Sequence, residues 1–453
     1  NYITDFDFLN QYLPDTYEKE FERYGNRTVS SFLRMVGAEM PSNSDLIKWA
    51  EQGRLHTKYV DCASGSAAGV SNATITVSDP LVPNRGTIGL TAGGIAVRVG
   101  QTVLISDNAG LAGSNKGIVT SVNTAAGTFA VAYYEALGQS YAATDTLTVF
   151  IYGSEFKKGT EGMDGSLESD DFIFENNPII IKDKYAVSGS DMAQIGWVEV
   201  TTENGANGYL WYLKSEHETR LRFDDYLETA MIEAVPAATG SGAASVSSLS
   251  NVGNKGSEGI FYAVNNRGNV YGGGHPTTLL QWDSIISRLD KQGAIEENVV
   301  FVNRDYSFDI DDMLAQQSSN AAGGVSYGLF DNEKDMALNL GFTGFRRGYD
   351  FYKSDWKYLN DPTMRGGLAS DGVDGLLVPA GSTSVYDQVM GKNAKRPFLH
   401  VRYRASETED RRYKTWITGS AGGAQTSSLD AMEVHFLSER AVCTLGANNF
   451  FLF

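Results

Sequence analysis

One serine of this chain lies in the sequence setting of a hydrolase nucleophile. Residues 324–328 read Gly-Val-Ser-Tyr-Gly, which matches the Gly-x-Ser-x-Gly pattern with Ser326 at its centre. That pattern is reactive when a buried strand leads into the serine and a helix follows it. Residues 316–323 are polar and small instead, and His400 and His435 are the nominal bases downstream. We therefore predict that the chain is not an enzyme, and we keep a serine hydrolase as a remote alternative.

Three consecutive glycines at 272–274 precede a predicted helix, and such runs can hold phosphate groups at a helix start. The chain lacks the Gly-Lys-Ser/Thr sequence and the dinucleotide-binding glycine pattern that would make this specific. His275, Pro276 and Thr277 follow the run, and Pro and Thr are ordinary residues at the start of a helix. The pattern predicts a structural turn and no cofactor.

Four aspartates lie close together at positions 305, 309, 311 and 312. Calcium requires several oxygen ligands, but the spacing of a calcium-binding loop is absent here. Carboxylates collected at a helix N-terminus explain the cluster as well, because they interact favourably with the helix dipole. The five histidines form no metal-binding pair such as His-Glu-x-x-His. We therefore predict no metal site.

Two adjacent arginines, Arg346 and Arg347, lie in a segment rich in Phe, Tyr and Trp between positions 342 and 358. Basic residues interleaved with aromatic rings can stack on nucleic-acid bases. Acidic residues at 350, 355 and 361 dilute the positive field, and a strand pair with rings inward and charges outward explains the same pattern. We predict a core or subunit contact here.

The composition of the whole chain indicates a folded, acidic protein. Of its 453 residues, 37 are basic and 55 acidic, which gives a net charge of −18 at pH 7. Hydrophobic residues make up 42% of the chain, which argues against a disordered protein. The two cysteines, Cys62 and Cys443, cannot build a disulfide framework, so buried free thiols are expected. No apolar run approaches the length of a membrane span, and the acidic balance disfavours a protein that coats nucleic acid.

Three segments of different composition make up the first part of the chain. Residues 1–56 are predicted to form an extended, aromatic-bearing arm with short helices. Residues 57–153 lose nearly all charge and consist of short alternating runs, which predicts an inserted β-barrel or sandwich domain. Residues 154–204 are predicted to form an extended two-stranded loop, with strands over 172–174 and 179–181.

A long helix over 207–235 is the clearest predicted element, and Pro236 ends it. Its apolar stripe is predicted at Leu213, His217, Leu221, Leu227, Met231 and Val235. A strand is then expected over 260–264, a helix over 277–289, a strand over 299–302 and a short helix over 310–317. The remainder is strand-rich, so the fold class is mixed α+β.

The order of these parts resembles the Hong Kong 97 fold of tailed-phage major capsid proteins. In that family an arm leads to an extended loop, a long spine helix crosses a peripheral domain, an axial domain follows, and the chain returns to the central sheet. The matching parts are the loop 156–194, the helix 207–235, the pair 277–289 and 299–302, and the closing residues 436–442. Residues 205–234 also resemble the corresponding helix of crAss-like phage capsid proteins.

The resemblance implies a structural virion protein that assembles into hexamers and pentamers of an icosahedral shell around double-stranded DNA. It implies a peripheral domain over 205–330, an axial domain over 331–430 and returning strands over 431–453. The implied partners are further copies of the chain and portal, scaffold or decoration proteins, with no membrane. The implied location is the virion capsid, assembled in the host cytoplasm. Proteolytic maturation, common in the family, would account for Asn1 as the first residue.

The candidate assembly residues lie in the arm, the loop, the long helix and the aromatic segment. They are Phe6, Phe8, Lys157, Lys158, Phe172, Phe174, Leu221, Arg346 and Arg347. A lysine–asparagine crosslink of the family type is not carried over, because nothing identifies a partner for either lysine. Another self-assembling protein, such as a surface-layer or phage tail component, remains the alternative.

Overall fold

A computed structural model describes most of the chain. The described residues are 38–52, 58–77, 95–110, 113–124, 126–164, 171–193, 200–201, 207–208, 211–245, 254–292, 295–319, 343–368, 372–387, 392–423 and 425–453. Phe6, Phe8 and Ser326 lie outside these ranges, so the predictions made on them stay predictions.

Helices and strands alternate in blocks, which confirms the mixed class with a large share of sheet. The helices are α1 (Gly189–Met192), α2 (Trp211–Glu233), α3 (Gly242–Ser245), α4 (Ile260–Arg267), α5 (Leu279–Gln292), α6 (Arg304–Ser319) and α7 (Lys357–Asn360), with 3-10 turns at Arg365–Gly367 and Ala447–Asn449. The first strands are β1 (Ala38–Ser42), β2 (Ile47–Gln52), β3 (Lys58–Ser64), β4 (Asn72–Val77), β5 (Gln101–Asp107), β6 (Ser114–Asn123), β7 (Thr128–Tyr133), β8 (Thr146–Ser154), β9 (Asp171–Asn176), β10 (Ile179–Ser188), β11 (Val200–Thr201) and β12 (Asn207–Gly208). The later strands are β13 (Asn269–Val270), β14 (Glu297–Val302), β15 (Gly344–Arg347), β16 (Tyr349–Asp355), β17 (Gly375–Pro379), β18 (Ser382–Asp387), β19 (Lys392–Pro397), β20 (Leu399–Arg404), β21 (Lys414–Gly419), β22 (Ala431–Thr444) and β23 (Phe451–Leu452).

The chain forms two compact units, one over Trp49–Phe174 and the other containing Glu175–Phe453 with residues up to Lys48. In the first unit, charge-poor strands close a barrel in the order β3-β4-β7-β6-β5-β8, with all neighbours antiparallel. Successive side chains of a strand point to opposite faces, so every second residue of each strand lies in the barrel interior. The interior is filled by Ile75, Val103, Ile105, Phe129, Val131, Leu147 and Val149, each at most 1% exposed.

A polar network closes one end of the barrel. Gln139 donates from Nε2 to the Tyr141 carbonyl at 2.9 Å and accepts from the Ser64 hydroxyl at 2.8 Å. Gly138 precedes it with φ +66, and a Cβ there would lie 1.9 Å from the Val70 carbonyl oxygen. The turn therefore requires glycine, both for its left-handed backbone and for this close approach.

In the second unit, β22 is the central strand of a five-stranded sheet ordered β1-β20-β22-β10, and β21 also pairs with β22. Ten consecutive residues of β10 pair antiparallel with β22. The strands predicted over 172–174 and 179–181 are present as parts of β9 and β10, but their predicted pairing with each other is wrong. β9 pairs with β2 instead. β10 pairs along its full length with the 14-residue β22, which places one of its faces against the core of that sheet.

The long helix is present as α2, which at 1.5 Å per residue spans about 35 Å. It packs on β10 and β22 through a cluster of Val187, Phe223, Leu227, Met432, Val434 and Phe436. The predicted stripe is partly wrong. Leu227 and Met231 are buried, but Leu221 is only half-buried and Val235 is 57% exposed. Phe223, outside that stripe, is the fully buried ring on this face.

The six-stranded sheet, ordered β13-β23-β17-β14-β16-β15, has helices on both faces. Val300 and Val302 of β14 pack in the cluster with α5 and α6, while Phe301 packs in the cluster with α4. Successive side chains of a strand point to opposite faces, so one strand serves both layers. The helix over 277–289 and the strand over 299–302 are thus confirmed as parts of α5 and β14. Among the described helices, none is long and apolar enough to cross a membrane.

The strand predicted over 260–264 is wrong, because these residues begin α4. Ile260, Phe261, Ala263 and Val264 are buried together on one side of that helix. The short helix predicted over 310–317 is longer than expected and begins at Arg304.

Candidate functional site

The histidines considered as catalytic bases have structural hydrogen bonds. His400 is buried in β20, and its Nδ1 lies 3.2 Å from the Pro397 carbonyl oxygen. His435 Nε2 lies 2.7 Å from the Thr418 hydroxyl on the neighbouring strand, and its ring stacks on Trp416 at 5.1 Å. Both rings therefore make hydrogen bonds that stabilise the sheet.

The aspartates of α6 are engaged separately and do not converge. Asp309 hydrogen-bonds His275 at 2.6 Å, and Asp311 forms an ion pair with Lys353 at 2.5 Å. Both partners of the second pair are 12% exposed, so it is a partly desolvated contact between α6 and β16. Within the described residues, no group of three or more His, Cys, Asp or Glu is arranged to hold a metal ion.

The paired arginines have acidic partners. Arg347 Nη2 donates to Asp283 at 2.8 Å, which lowers the pKa of that carboxyl, and Arg346 pairs with Asp350 at 2.9 Å. On β15 and β16, Phe345 and Phe351 pack inward against a tryptophan of α5. β15 and β16 form the predicted antiparallel strand pair, with Phe345 and Phe351 inward, although Tyr352 of β16 is 53% exposed. Each of the two arginines is paired with an aspartate, and the subunit contact stays a prediction.

An open groove lies along the outer face of α2. Its volume is about 510 Å³, and its walls include Arg222, Tyr226, Glu233, Met364, Arg365 and Leu368. Tyr226 is 46% exposed and Leu368 is 56% exposed. Aromatic and arginine side chains of this kind are enriched in protein interfaces. The groove is therefore a candidate contact surface for another polypeptide.

The floor of this groove is held by a polar clamp at the end of α2. Glu233 accepts from the Tyr358 hydroxyl at 2.6 Å and from Arg365 Nη1 at 2.8 Å. The Arg365 guanidinium also lies over the Phe261 ring at 5.2 Å from its centroid. The clamp thus fixes the turn that carries Leu368 against α2 and α4.

A second candidate surface is the open face of the five-stranded sheet, on the side opposite α2. Ile180, Lys182 and Lys184 of β10 are exposed in alternation, and Trp416 of β21 is 36% exposed. Lys184 pairs with Glu433 at 3.0 Å and lowers the pKa of that carboxyl. Among the residues that the structure describes, this sheet face is both apolar and cationic and is exposed, which suits it to contact with another surface.

The remaining candidate residues lie on exposed segments. Lys157 and Lys158 are exposed in the turn that follows β8. Phe172 of β9 is 38% exposed, whereas Phe174 is half-buried and packs on Trp49 at 6.2 Å. The structure therefore does not gather the candidates into one site. The described candidates lie in different strands, turns and helices, and their role in assembly stays a prediction.

Sequence reasoning missed Tyr226, Leu368 and Trp416. The one available signal was Trp416 in the alternating run Lys-Thr-Trp-Ile-Thr, where a large ring occupies an outward position of a strand. Tyr226 lies on the polar side of the helix pattern and Leu368 in a glycine-rich turn, so neither position has a local sequence signature.

No family model and no curated protein matches the chain. A solved structure from Microbacterium phage Oxtober96 is similar over 100% of this chain and 99% of that chain, with 10% identity and a TM-score of 0.40. The capsid structure of the Cyanophage P-SCSP1u is similar over 66% of this chain and 79% of that chain, with 9% identity and a TM-score of 0.36. The mature capsid of bacteriophage PhiM1 is similar over 67% and 78%, with 10% identity and a TM-score of 0.34. TM-scores of this size do not establish a shared fold, and these likenesses carry no conclusion about function.

Proposed function

We propose that the chain is a major capsid protein of the Hong Kong 97-like fold, which self-assembles into hexamers and pentamers of an icosahedral shell around double-stranded DNA. The observation that carries the proposal is the placement of the long helix. α2 lies on β10, which precedes it, and on β22, which belongs to the last part of the sequence. A long helix across a sheet that the chain's end completes is the arrangement of the family that the sequence resembles.

The proposal assigns each segment a place in that fold. Residues 1–56 are the arm, 57–153 an added β domain, 154–204 the extended segment, 205–330 the spine helix and peripheral domain, and 331–430 the axial domain. Residues 431–453 are the returning strands, and the pairing of β22 and β23 into the two large sheets supports this.

The groove along α2 and the open sheet face are the proposed contacts between copies. In a closed shell each subunit gives and receives the same contact. Contacts that are weak individually therefore stabilise the shell because they are repeated between all subunits. The net charge of −18 suits a wall that encloses DNA without adhering to it. Portal, scaffold or decoration proteins are the further partners, the virion is the location, and no catalytic role is proposed.

Expression of the chain alone tests this, with velocity sedimentation and negative-stain microscopy as readouts. Closed shells, or rings of five and six subunits, are expected. Filaments or tubes would favour the surface-layer or tail alternative. A chain that remains monomeric at high concentration would contradict both.

Two deletions test the extended segments separately. Removal of residues 1–37 takes away Phe6 and Phe8 but no described strand or helix, so the remainder should fold without closing particles. Removal of 157–170 takes away Lys157 and Lys158 and leaves β8, β9 and β10 intact. A deletion of 156–194 is uninformative, because it also removes β10 from the sheet. Normal closed shells from both deletions would contradict a role for these segments.

A further inference from the structure

Three parts of the second unit meet at one histidine. His275 follows the glycine run 272–274, Asp309 lies in α6, and Asp374 lies immediately before β17. His275 Nδ1 lies 2.8 Å from Asp374 Oδ2, and His275 Nε2 lies 2.6 Å from Asp309 Oδ2. Both ring nitrogens therefore face carboxylate oxygens at hydrogen-bond distance.

Only the doubly protonated ring can donate to both carboxylates. A neutral imidazole has one N–H, so it would turn a lone pair toward the other carboxylate. Asp374 is already used as an acceptor on both oxygens, because its Oδ1 accepts from Asn303 Nδ2 at 2.9 Å. The geometry thus matches an imidazolium held by two charge-assisted hydrogen bonds.

The surroundings favour the same charge state. The Tyr306 ring stacks on His275 with centroids 4.5 Å apart, which is favourable for a cation above an aromatic face. Burial raises the pKa of Tyr306 well above its ordinary value, so its phenol is uncharged. Burial alone would lower the pKa of His275, but the hydrogen bonds to Asp309 and Asp374 outweigh it and raise that pKa. The titratable groups facing the ring are thus Asp309 and Tyr306 from α6 and Asp374 from the segment before β17.

We propose that His275, Asp309 and Asp374 form a pH-sensitive clamp that ties the segment 271–278 to α6 and to the start of β17. At low pH the imidazolium bridges both carboxylates. When the ring loses a proton, one hydrogen bond is replaced by repulsion between a lone pair and a carboxylate. The clamp does not depend on the proposed function.

The contact with Asp309 is the one that opens. The Asp374 backbone is fixed by its N–H donated to Phe453 and its carbonyl accepting from Asn303, each at 2.8 Å. Asp309 is 43% exposed and can be solvated by water when released. Because the pKa of His275 is raised in the fold, its stabilisation is complete below the unfolded value of about 6.5 and is lost as the pH rises through the folded value.

Hydrogen exchange of the full chain, measured by mass spectrometry and corrected for intrinsic rates, tests the clamp. The relevant amide belongs to Tyr271, which lies in the tied segment and donates to the Leu452 carbonyl at 2.8 Å, while the amides of Asn303 and Asp374 lie on the side that stays fixed and serve as the internal reference. We expect the protection of Tyr271 to fall by about tenfold or more relative to that reference between about pH 6 and about pH 9. Protection that stays flat over this range in the wild-type chain would overturn the proposal.

Variants separate the clamp from general packing. Asp309→Asn keeps the side-chain shape but removes its charge, so the pH midpoint should move to a lower value. His275→Gln has no titrating ring and should show low, pH-independent protection, while His217→Gln on α2 should behave as wild type. An unchanged midpoint in Asp309→Asn would also overturn the proposal, and that comparison decides the matter even if His275→Gln does not fold.

Discussion

Phe223 of α2 and Phe436 of β22 place their ring centroids 5.7 Å apart, and both side chains are 0% exposed. A third ring, Tyr413, meets Phe223 edge-on at 5.4 Å. This aromatic contact joins the long helix to β22, a strand that lies near the other end of the second unit in sequence. The contact therefore anchors the helix on the sheet on which the proposed function depends.

Phe223→Ala should cost about 3–5 kcal/mol of unfolding free energy, because it empties a fully buried ring site. Denaturant unfolding followed by circular dichroism measures the loss. Leu221→Ala, at a half-buried position two residues earlier, is the matched control and should cost clearly less. Equal destabilisation by the two changes would mean that the helix lies on the sheet with a different face.

Glu233→Ala should destabilise the chain by about 1.5–3 kcal/mol, because it removes the acceptor of one hydrogen bond from a charged group and one from a phenol. The same unfolding measurement applies. Glu409→Ala is the control, since Glu409 pairs with Lys414 on the surface and its loss should have little effect. A cost for Glu233→Ala no larger than the control's would show that the clamp at the end of α2 is not stabilising.

Neither cysteine should react with iodoacetamide in the native protein. Both are buried, and burial raises the pKa of Cys443 to about 12. At pH 8 the Cys443 thiol therefore stays protonated, and the thiol is a poor nucleophile compared with the thiolate. Mass spectrometry should find no alkylation without denaturant and two modified sites with it. Rapid native labelling of Cys443 would contradict its position in β22.

The barrel should fold when residues 58–156 are expressed alone, because its described strands pair in a closed ring and enclose their own core. A β-type circular dichroism spectrum with one cooperative melt is expected. Gly138→Val is the matched variant, since a Cβ at that position meets the Val70 carbonyl, and it should melt at a lower temperature. A disordered spectrum of the wild-type fragment would show that the barrel depends on the rest of the chain.

Ser326→Ala should leave the protein chemically unchanged, because its sequence context lacks the buried strand that activates such a serine. An assay with a short-chain ester, run beside the unmodified chain, measures this. Loss of a measurable ester cleavage on substitution would restore the hydrolase alternative.

Local patterns predicted the elements whose periodicity is strong. The helix ending before Pro236 follows from a 3.6-residue repeat, the strand over 299–302 from a short apolar run, and the barrel strands β4 to β8 from alternation. No run was recognised over β3, and residues 95–99, which alternate in the same way, form no strand. The sequence of α4 was misread for a physical reason: Ile, Phe, Tyr and Val favour strands intrinsically, but contacts with Met231 and Ile232 of α2 stabilise a helix there. Propensity over eight residues is too weak to decide between these outcomes.

The sequence did not predict which strands pair with each other. The strands β9 and β10 are close in sequence and separated by a turn, which favoured a hairpin. Their actual partners, β2 and β22, lie far away along the chain, and no local signal encodes such a pairing. The His275 clamp was missed for the same reason, because its two aspartates come from positions 34 and 99 residues away.

β22 and β23 lie late in the sequence, so the barrel can fold before the two large sheets during synthesis. All barrel strands lie within residues 58–154, so the barrel can close while later residues are still on the ribosome. The two large sheets stay incomplete until residues 431–452 emerge, because their central and bridging strands come last. Between the synthesis of residue 233 and that of residues 431–444, the nascent chain therefore carries a closed barrel and an α2 whose buried face still lacks β22. Apolar surface that is exposed over that interval is prone to aggregate.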